Sequence, residues 1–338
     1  MASRNTLIKT KKLSAKIIKK NKPKVLVILG PTASGKTRLA VDLARKLKGE
    51  IISADSRQVF RGMDIGTGKD LKEYGTGKNK VSYHLIDVVS PNEEFNLAKY
   101  QKLANEAIKK IISSGRLPIL VGGTGLYLQA IVDGYKLSPY KPDLKERARL
   151  EKMSVQELFN LLEKKKSDFA HKLNNSDKNN PRRLIRYLEI ISQDNKKINK
   201  TDKVKEESFN SKKIAPYNFL LLGLNKSDEE IRRLINKRII DRLENEGMVS
   251  EVERLHEGGI DWLKLNSFGL EYRFISFFLQ AKLSYDEMIE KLGIASYRFA
   301  KRQKTWFRRW EKQGRKIEWL NDFQEAEGKV KEWLDLNK

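Results

Sequence analysis

Gly30, Pro31, Thr32, Ala33, Ser34, Gly35, Lys36 and Thr37 follow one another as G-x-x-x-x-G-K-T, between an apolar run, Val25 to Leu29, and a helical pattern, Arg38 to Lys48. A strand that turns through such a loop into a helix leaves backbone N–H groups unpaired at the positive end of the helix dipole. Together they cradle a polyphosphate. Lys36 adds a point charge, and the Thr37 hydroxyl can hold a magnesium ion. The motif specifies a polyphosphate without saying which one, or what becomes of it. Two carboxylates and a hydroxyl stand at comparable places further on. Asp55 ends the run Ile51 to Ala54, Asp87 lies within Tyr83 to Val89, and Thr124 follows Gly122 and Gly123 after Pro118 to Val121. Asp87 has two readings here, a metal ligand acting through water or the partner of a loop cation.

Those groups need a scaffold, and the chain alternates strand and helix in the manner of a doubly wound α/β sheet. Leu39, Leu43 and Leu47 form the stripe of a first helix, with Gly49 expected as its C-cap. Asn96 is placed to cap a second, with Ala104, Ala107, Ile108 and Ile111 inward and Gly115 closing it. In an open parallel sheet the carboxyl ends of the strands face one crevice, so the phosphate loop, Asp55 and Gly122 to Thr124 are expected to converge. From about Tyr140 to Lys213 helical periodicity replaces strands (Val155, Leu158, Leu161, Leu162; Leu184, Leu188, Ile190), and Gln193 to Lys213 is polar and lysine-rich. Asn218 to Leu224 reads as a return to the sheet. The expected organisation is a P-loop NTPase-like parallel sheet over 24–137 and 214–338 with helices at its C-terminal end. An all-helical insertion interrupts it over 138–213, and a basic arm precedes it over 1–23.

Asn225-Lys226-Ser227-Asp228 mimics the guanine-reading signature of GTPases. No Asp-x-x-Gly stands between Thr37 and Asn225 to sense a γ-phosphate, and Ser227 with Glu230 explains the segment as a capping box.

Composition narrows the partner. Lys and Arg number 69 against 44 Asp and Glu, a net charge of +25, which is the footprint of a protein that meets a polyanion, nucleic acid first. The arm carries Arg4, Lys9, Lys11, Lys12, Lys16, Lys19, Lys20 and Lys22 with no acid, as an electrostatic tail or a targeting peptide would. No stretch approaches the roughly 18 uninterrupted apolar residues of a membrane span. With no cysteine there are no disulfides and no thiolate zinc sites, and a soluble, cytoplasmic chain is expected.

The segment Ser53-Ala54-Asp55-Ser56-Arg57-Gln58-Val59-Phe60, followed by Gly62-Met63-Asp64-Ile65-Gly66-Thr67, carries the most information after the phosphate loop. With it, the chain resembles the tRNA dimethylallyltransferases, also called tRNA isopentenyltransferases. The likeness includes the phosphate loop, His84-Leu85-Ile86-Asp87, Val121 to Tyr127, Asn180 to Arg186, Gly269 to Arg273 and Lys301 to Trp306. It implies transfer of a dimethylallyl group from its diphosphate to the exocyclic amine of the adenosine just 3′ of the anticodon, with Mg2+, by a monomer.

On that resemblance Gly30 to Thr37 and Arg273 bind the diphosphate, Asp55 is the general base, and Lys36 takes up leaving-group charge. Thr124 hydrogen-bonds the adenine or the base. The anticodon stem-loop of the tRNA would meet Asp55, Ser56, Arg57, Gln58 and Thr124, then Arg147, Arg182, Arg183 and Arg186 in the insertion, which would clamp it. Lys301, Arg302, Gln303, Thr305, Trp306 and Arg308 would meet it on the last long helix. That helix presents Arg298, Arg302, Thr305 and Arg309 on one face and Phe299, Trp306 and Trp310 on another, a mixture suited to an unstacked RNA loop. The aromatic set equally suits a core. Phe60 stands where the family usually has tyrosine, and Glu271 falls in a Gly-Tyr-Arg segment of many members. Lacking cysteine, the chain resembles the bacterial type rather than the eukaryotic one with its zinc finger. Two alternatives share the loop: a nucleotide kinase or adenylate prenyltransferase, which would not need the charge or the insertion, and an RNA-binding P-loop ATPase, which leaves Asp-Ser-Arg-Gln without a task.

Overall fold

The computed structural model describes residues 22–138, 142–197, 216–320 and 322–335. The basic arm up to residue 21 and the polar stretch 198–213 lie outside them. The chain divides into two compact units, 1–134 with 214–338, and 135–213.

The first unit is built on a six-stranded parallel sheet: β1 Lys24–Leu29, β2 Gly49–Ser53, β3 Tyr83–His84, β4 Leu117–Gly122, β5 Asn218–Leu224 and β6 Glu318–Leu320, in the order β3-β2-β4-β1-β5-β6. Val25 to Leu29 of β1 have no exposed surface, because helices cover both faces. Side chains alternate across a strand, so Val25, Val27 and Leu29 join one core layer, while Leu26 and Ile28 join the other. The first layer is closed by α2 Leu97–Ser113 and α3 Gly125–Val132, the second by α1 Lys36–Leu47. Burying each such Val, Leu or Ile contributes about 1.5–3 kcal/mol, and this central strand anchors the phosphate loop that leaves it.

Two local expectations fail. The C-cap of α1 is Lys48, left-handed at φ 50, and Gly49 already belongs to β2. Gly49 is needed for close approach instead: a Cβ there would stand 2.7 Å from Ile119 Cδ1. The run Tyr83 to Val89 is not one strand either. Pairing stops at His84, and Leu85 and Asp87 take positive φ angles of 63 and 57, so the segment turns away from the sheet edge.

The second unit, the insertion, is helical as its periodicity predicts: α4 Leu144–Leu150, α5 Val155–Lys165, α6 Ser167–Lys172, α7 Asn175–Lys178 and α8 Pro181–Lys197. Leu150, Leu158, Leu162, Leu184, Leu188 and Ile191 form its own core. Ser154 and Glu157 cap α5 reciprocally.

After β5 the first unit continues with α9 Asp228–Glu244, α10 Met248–Glu257, α11 Trp262–Phe268, α12 Leu270–Leu279, α13 Tyr285–Lys312 and α14 Phe323–Trp333. The Ser227 hydroxyl accepts from Glu230 N–H at 3.0 Å, but the Glu230 carboxylate turns to Lys226, so only half of the expected box forms. Ser284 and Glu287 form a full box at the start of α13. Helices α9 to α13 build a third core layer around Ile235, Phe268, Tyr272, Met288 and Leu292, which also receives Val59, Phe60 and Met63.

Candidate active site

The carboxyl ends of β1, β2 and β4 open with α9, α12 and α13 onto one cavity of about 690 Å³. Its wall contains Thr32, Ala33, Gly35, Lys36 and Thr37 of the phosphate loop, Asp55 to Gln58 after β2, and Thr124 after β4, together with Arg273, Arg302 and Gln303. These expected site residues, far apart in sequence, thus converge. Lys301, Thr305, Trp306 and Arg308 lie outside this wall, and Arg147, Arg182, Arg183 and Arg186 belong to the second unit.

The loop is shaped for an anion. Ala33 and Gly35 hold φ at 60 and 85, and no side chain caps the N-terminus of α1, so its first-turn N–H groups have no side-chain acceptor. The Ser34 hydroxyl is buried without a partner. The Lys36 ammonium donates to Pro31 O at 3.3 Å, and loss of solvent brings its pKa down to about 8, with Asp55 acting the other way. Below that pH Lys36 carries the charge that attracts a diphosphate, and above it the charge is lost. The kcat/KM for a diphosphate donor is therefore expected to fall above about pH 8. A profile flat from about pH 7 to 9 would remove the Lys36 charge from donor capture.

Arg238 of α9 escaped the sequence reading. Its Nη2 donates to Thr32 Oγ1 at 2.6 Å, and no carboxylate pairs with it among the described residues. Burial lowers its pKa to about 10, with Arg242 next in effect, and Glu271 and Asp70 partly compensate. A half-buried guanidinium with no carboxylate bonded to it, hydrogen-bonded to the phosphate loop, is suited to an anion. Nothing in the helical pattern of Asp228 to Glu244 distinguishes Arg238 from its exposed neighbours Arg232 and Arg233.

In the same wall, Asp55 Oδ1 accepts from Arg57 N–H at 2.8 Å. The Thr124 hydroxyl accepts from Ser56 N–H at 3.2 Å, which leaves its own proton to donate. Gln58 and Gln303, expected to face RNA, are instead spent on the protein. Gln58 bridges the Ser53 hydroxyl and Gly68 O, each at 2.8 Å. Gln303, 7% exposed, accepts from Thr32 N–H at 2.8 Å and donates to Gly123 O at 2.9 Å, tying the phosphate loop to the Thr124 loop. A Cβ at Gly123 would stand 2.3 Å from its Nε2, so a larger residue there would push the Gln303 amide off the Gly123 carbonyl.

Asp87 is absent from the cavity wall and pairs with Lys69, whose side chain is fully buried and also held by Phe60 O and Asp64. Its loop-partner reading is the one observed. Phe60 is buried with its ring edge-on to Phe268 at 4.9 Å, a place where a tyrosine hydroxyl would enter an apolar layer. Glu251 of α10 was invisible in the sequence: its carboxylate accepts from Asp64, Ile65 and Gly66 N–H at 2.7, 2.8 and 3.0 Å and from the Tyr272 hydroxyl at 2.7 Å. Such a nest shapes the loop carrying Gly66 to Gly68 into the cavity wall. Glu271 also lines the cavity, and burial raises its pKa despite Arg238. Arg273 is exposed and donates to Asn266 O at 3.2 Å.

On α13 the arginine face is open: Arg298, Arg302 and Arg309 are exposed, as is Arg308 to one side of it. The aromatic face divides. Trp310 is buried with its Nε1 donating to Asp133 at 3.1 Å, Phe299 is exposed, and Trp306 lies against Gly125 with the Arg309 guanidinium 4.3 Å over its ring. Thr305 spends its hydroxyl on Lys301 O at 2.9 Å. In the insertion, Arg147 is committed to the buried Glu189 by two hydrogen bonds of 2.7 and 2.9 Å, Arg186 adds a third at 3.1 Å, and Arg183 pairs with Asp177. These three expected RNA contacts therefore hold the insertion together, while Arg182 is exposed.

Sheet, loop and cavity define a P-loop protein whose anion cradle shares one chamber with a strand-end carboxylate. A family model described as IPP transferase matches residues 58–310, and the chain belongs to that family. It is 47% identical over 298 residues to a tRNA dimethylallyltransferase 2 of Pelobacter propionicus, covering 88% of this chain and 89% of that one. The crystal structure of a tRNA isopentenylpyrophosphate transferase from Bacillus halodurans matches with a TM-score of 0.63 and 34% identity, over 93% of this chain and 96% of its own. A eukaryotic dimethylallyltransferase, seen in crystallographic snapshots acting on tRNA, matches with a TM-score of 0.66 and 25% identity, over 84% and 69%.

Proposed function

We propose that this protein transfers a dimethylallyl group from dimethylallyl diphosphate to the exocyclic amine of the adenosine immediately 3′ of a tRNA anticodon. The observation that carries the proposal is the chamber itself: Lys36, Arg238 and the N-terminus of α1 line one cavity together with Asp55 and Thr124. The diphosphate sits in the cradle, where two cations and backbone N–H groups take up charge as the allylic carbon–oxygen bond breaks. The amine nitrogen bonds to that carbon, and its proton passes to the Asp55 carboxylate. Thr124 donates to the adenine.

A magnesium ion fits Thr37, a hydroxyl at the loop end beside the diphosphate position. Among the described residues no cluster of three His, Cys, Asp or Glu could hold a metal alone, so the donor's own oxygens and water would complete the shell. The ion would supply further charge neutralisation on the leaving group.

The RNA is held by the exposed arginines of α13, and the +25 net charge supports a polyanionic partner. Arg302 is one of them and lines the cavity. Replacing Arg302 by Ala should weaken RNA binding and flatten the dependence of log K on log salt by up to about one unit. An unchanged slope would place Arg302 off the interface. The protein works as a monomer in the cytoplasm, and among the described residues no helix is long and apolar enough to cross a membrane.

The deciding experiment supplies radiolabelled dimethylallyl diphosphate, magnesium and an unmodified anticodon stem-loop with an A-A-A run, beside AMP as a competing acceptor. Label in the RNA, lost when the target adenine is changed, is expected. Label in AMP alone would make this a nucleotide prenyltransferase, and label in neither would return the RNA-dependent ATPase.

A further inference from the structure

Of the α13 rings Phe299, Trp306 and Trp310, folding engages two. Trp310 is buried with its Nε1 bonded to Asp133, and Trp306 lies against Gly125 beneath the Arg309 guanidinium. Phe299 is left open. Its ring is 39% exposed, stands in the wall of the cavity, and has the Arg302 guanidinium 5.7 Å from its centroid. One turn further along the same stripe Gln303 donates to the carbonyl of Gly123, next to Thr124, whose hydroxyl is bonded to Ser56 N–H beside Asp55. The ring thus borders the end of the chamber that holds Asp55 and Thr124. One turn before it, Ser296 lines the same wall at 3% exposure, and its hydroxyl has no hydrogen-bond partner among the described residues. A buried hydroxyl left unpaired lowers stability unless a ligand or water answers it. Residues three apart share a helix face, so ring and hydroxyl meet one occupant. A dimethylallyl tail has no polar atom to offer the hydroxyl, whereas an adenine has both a π face and hydrogen-bonding edges.

We propose that Phe299 is the stacking platform for the acceptor adenine, which lies on its ring with one edge toward Ser296 and its sugar–phosphate backbone toward Arg302. Stacking repays part of the cost of taking the base out of the RNA loop and holds its amine beside Asp55. That this base is the acceptor rests on the transferase reading above. The contact itself is read by binding alone.

The probes are an unmodified anticodon stem-loop and the same RNA made abasic at the target position. Phe299→Ala should weaken binding of the intact RNA by about 5- to 100-fold, the range of one base–aromatic stack, and leave binding of the abasic RNA unchanged. Phe299→Leu, apolar but without a π face, should lose nearly as much, and Phe299→Trp should bind within about threefold of wild type. The KM for the prenyl donor should not move. Wild-type affinity in Phe299→Leu would reduce the ring to apolar filling, and equal losses on intact and abasic RNA would place it against another nucleotide. A raised donor KM with RNA binding unchanged would assign it to the prenyl tail. Each of these results overturns the proposal, and since binding involves no group transfer, failure of the transferase reading would be seen separately.

Discussion

Replacing Asp55 by Asn is expected to lower kcat by roughly 10² to 10⁴-fold while donor and RNA affinities change little. The substitution is nearly isosteric, and the amide oxygen can still accept from Arg57 N–H, a bond of 2.8 Å that shapes the turn after β2. What is lost is the basicity. An aromatic amine is a poor nucleophile, and once its nitrogen bonds to the prenyl carbon it must shed a proton inside a chamber walled by protein. Other carboxylates line the chamber, namely Asp70, Glu73, Asp241 and Glu271, but only Asp55 leaves the end of a sheet strand beside Thr124, and Asp87 is spent on Lys69 outside it. Single-turnover labelling of RNA at saturating donor reads the chemical step directly. Turnover equal to wild type would remove Asp55 from the mechanism.

The second large effect is expected at Arg238. Changing it to Met should reduce kcat/KM for the donor by about 10² to 10³-fold, the order seen when one preorganised charge donor is removed from a developing anion. Thermal stability should change little, because Arg238 is only half-buried and no carboxylate pairs with it among the described residues. That contrast separates a functional cation from a structural one, whose loss would lower both. Arg242 is the contrasting case four residues on: it is buried but paired with Asp70 at 2.9 Å, so removing it strands a charge. Donor kinetics and a melting curve on the same Arg238→Met preparation decide the matter. A kcat/KM within about twofold of wild type would place the donor elsewhere in the cavity.

Much of this architecture was legible from local pattern. Five apolar residues ending at a glycine-rich loop, followed by a helical stripe, specify strand, loop and helix without long-range information. The parallel sheet follows from the repetition of that unit. The caps at Asn96, Ser227 and Ser284 were legible for the same reason, since a side chain and a backbone N–H two or three residues apart decide them. Gly49 shows the limit. A glycine after a helix reads as a left-handed cap, yet here it answers to Ile119 on a strand far away in sequence. Gln303 and Arg147 were read as RNA contacts on the family resemblance, but each has found a partner that the chain brings from far along the sequence.

The sequence by itself therefore determined the phosphate loop, the strands that carry it and Asp55, the excess of positive charge and the family. All of these are set by residues within a few positions of one another or by composition. Only the tertiary structure decided which side chains remain available to a ligand. It set Arg238 beside Thr32, buried Gln303 between two loops, and closed Glu251 over three backbone N–H groups. The physical reason is that a polar side chain's role depends on whether folding gives it a partner, and those partners lie tens to hundreds of residues away, beyond the reach of any local pattern.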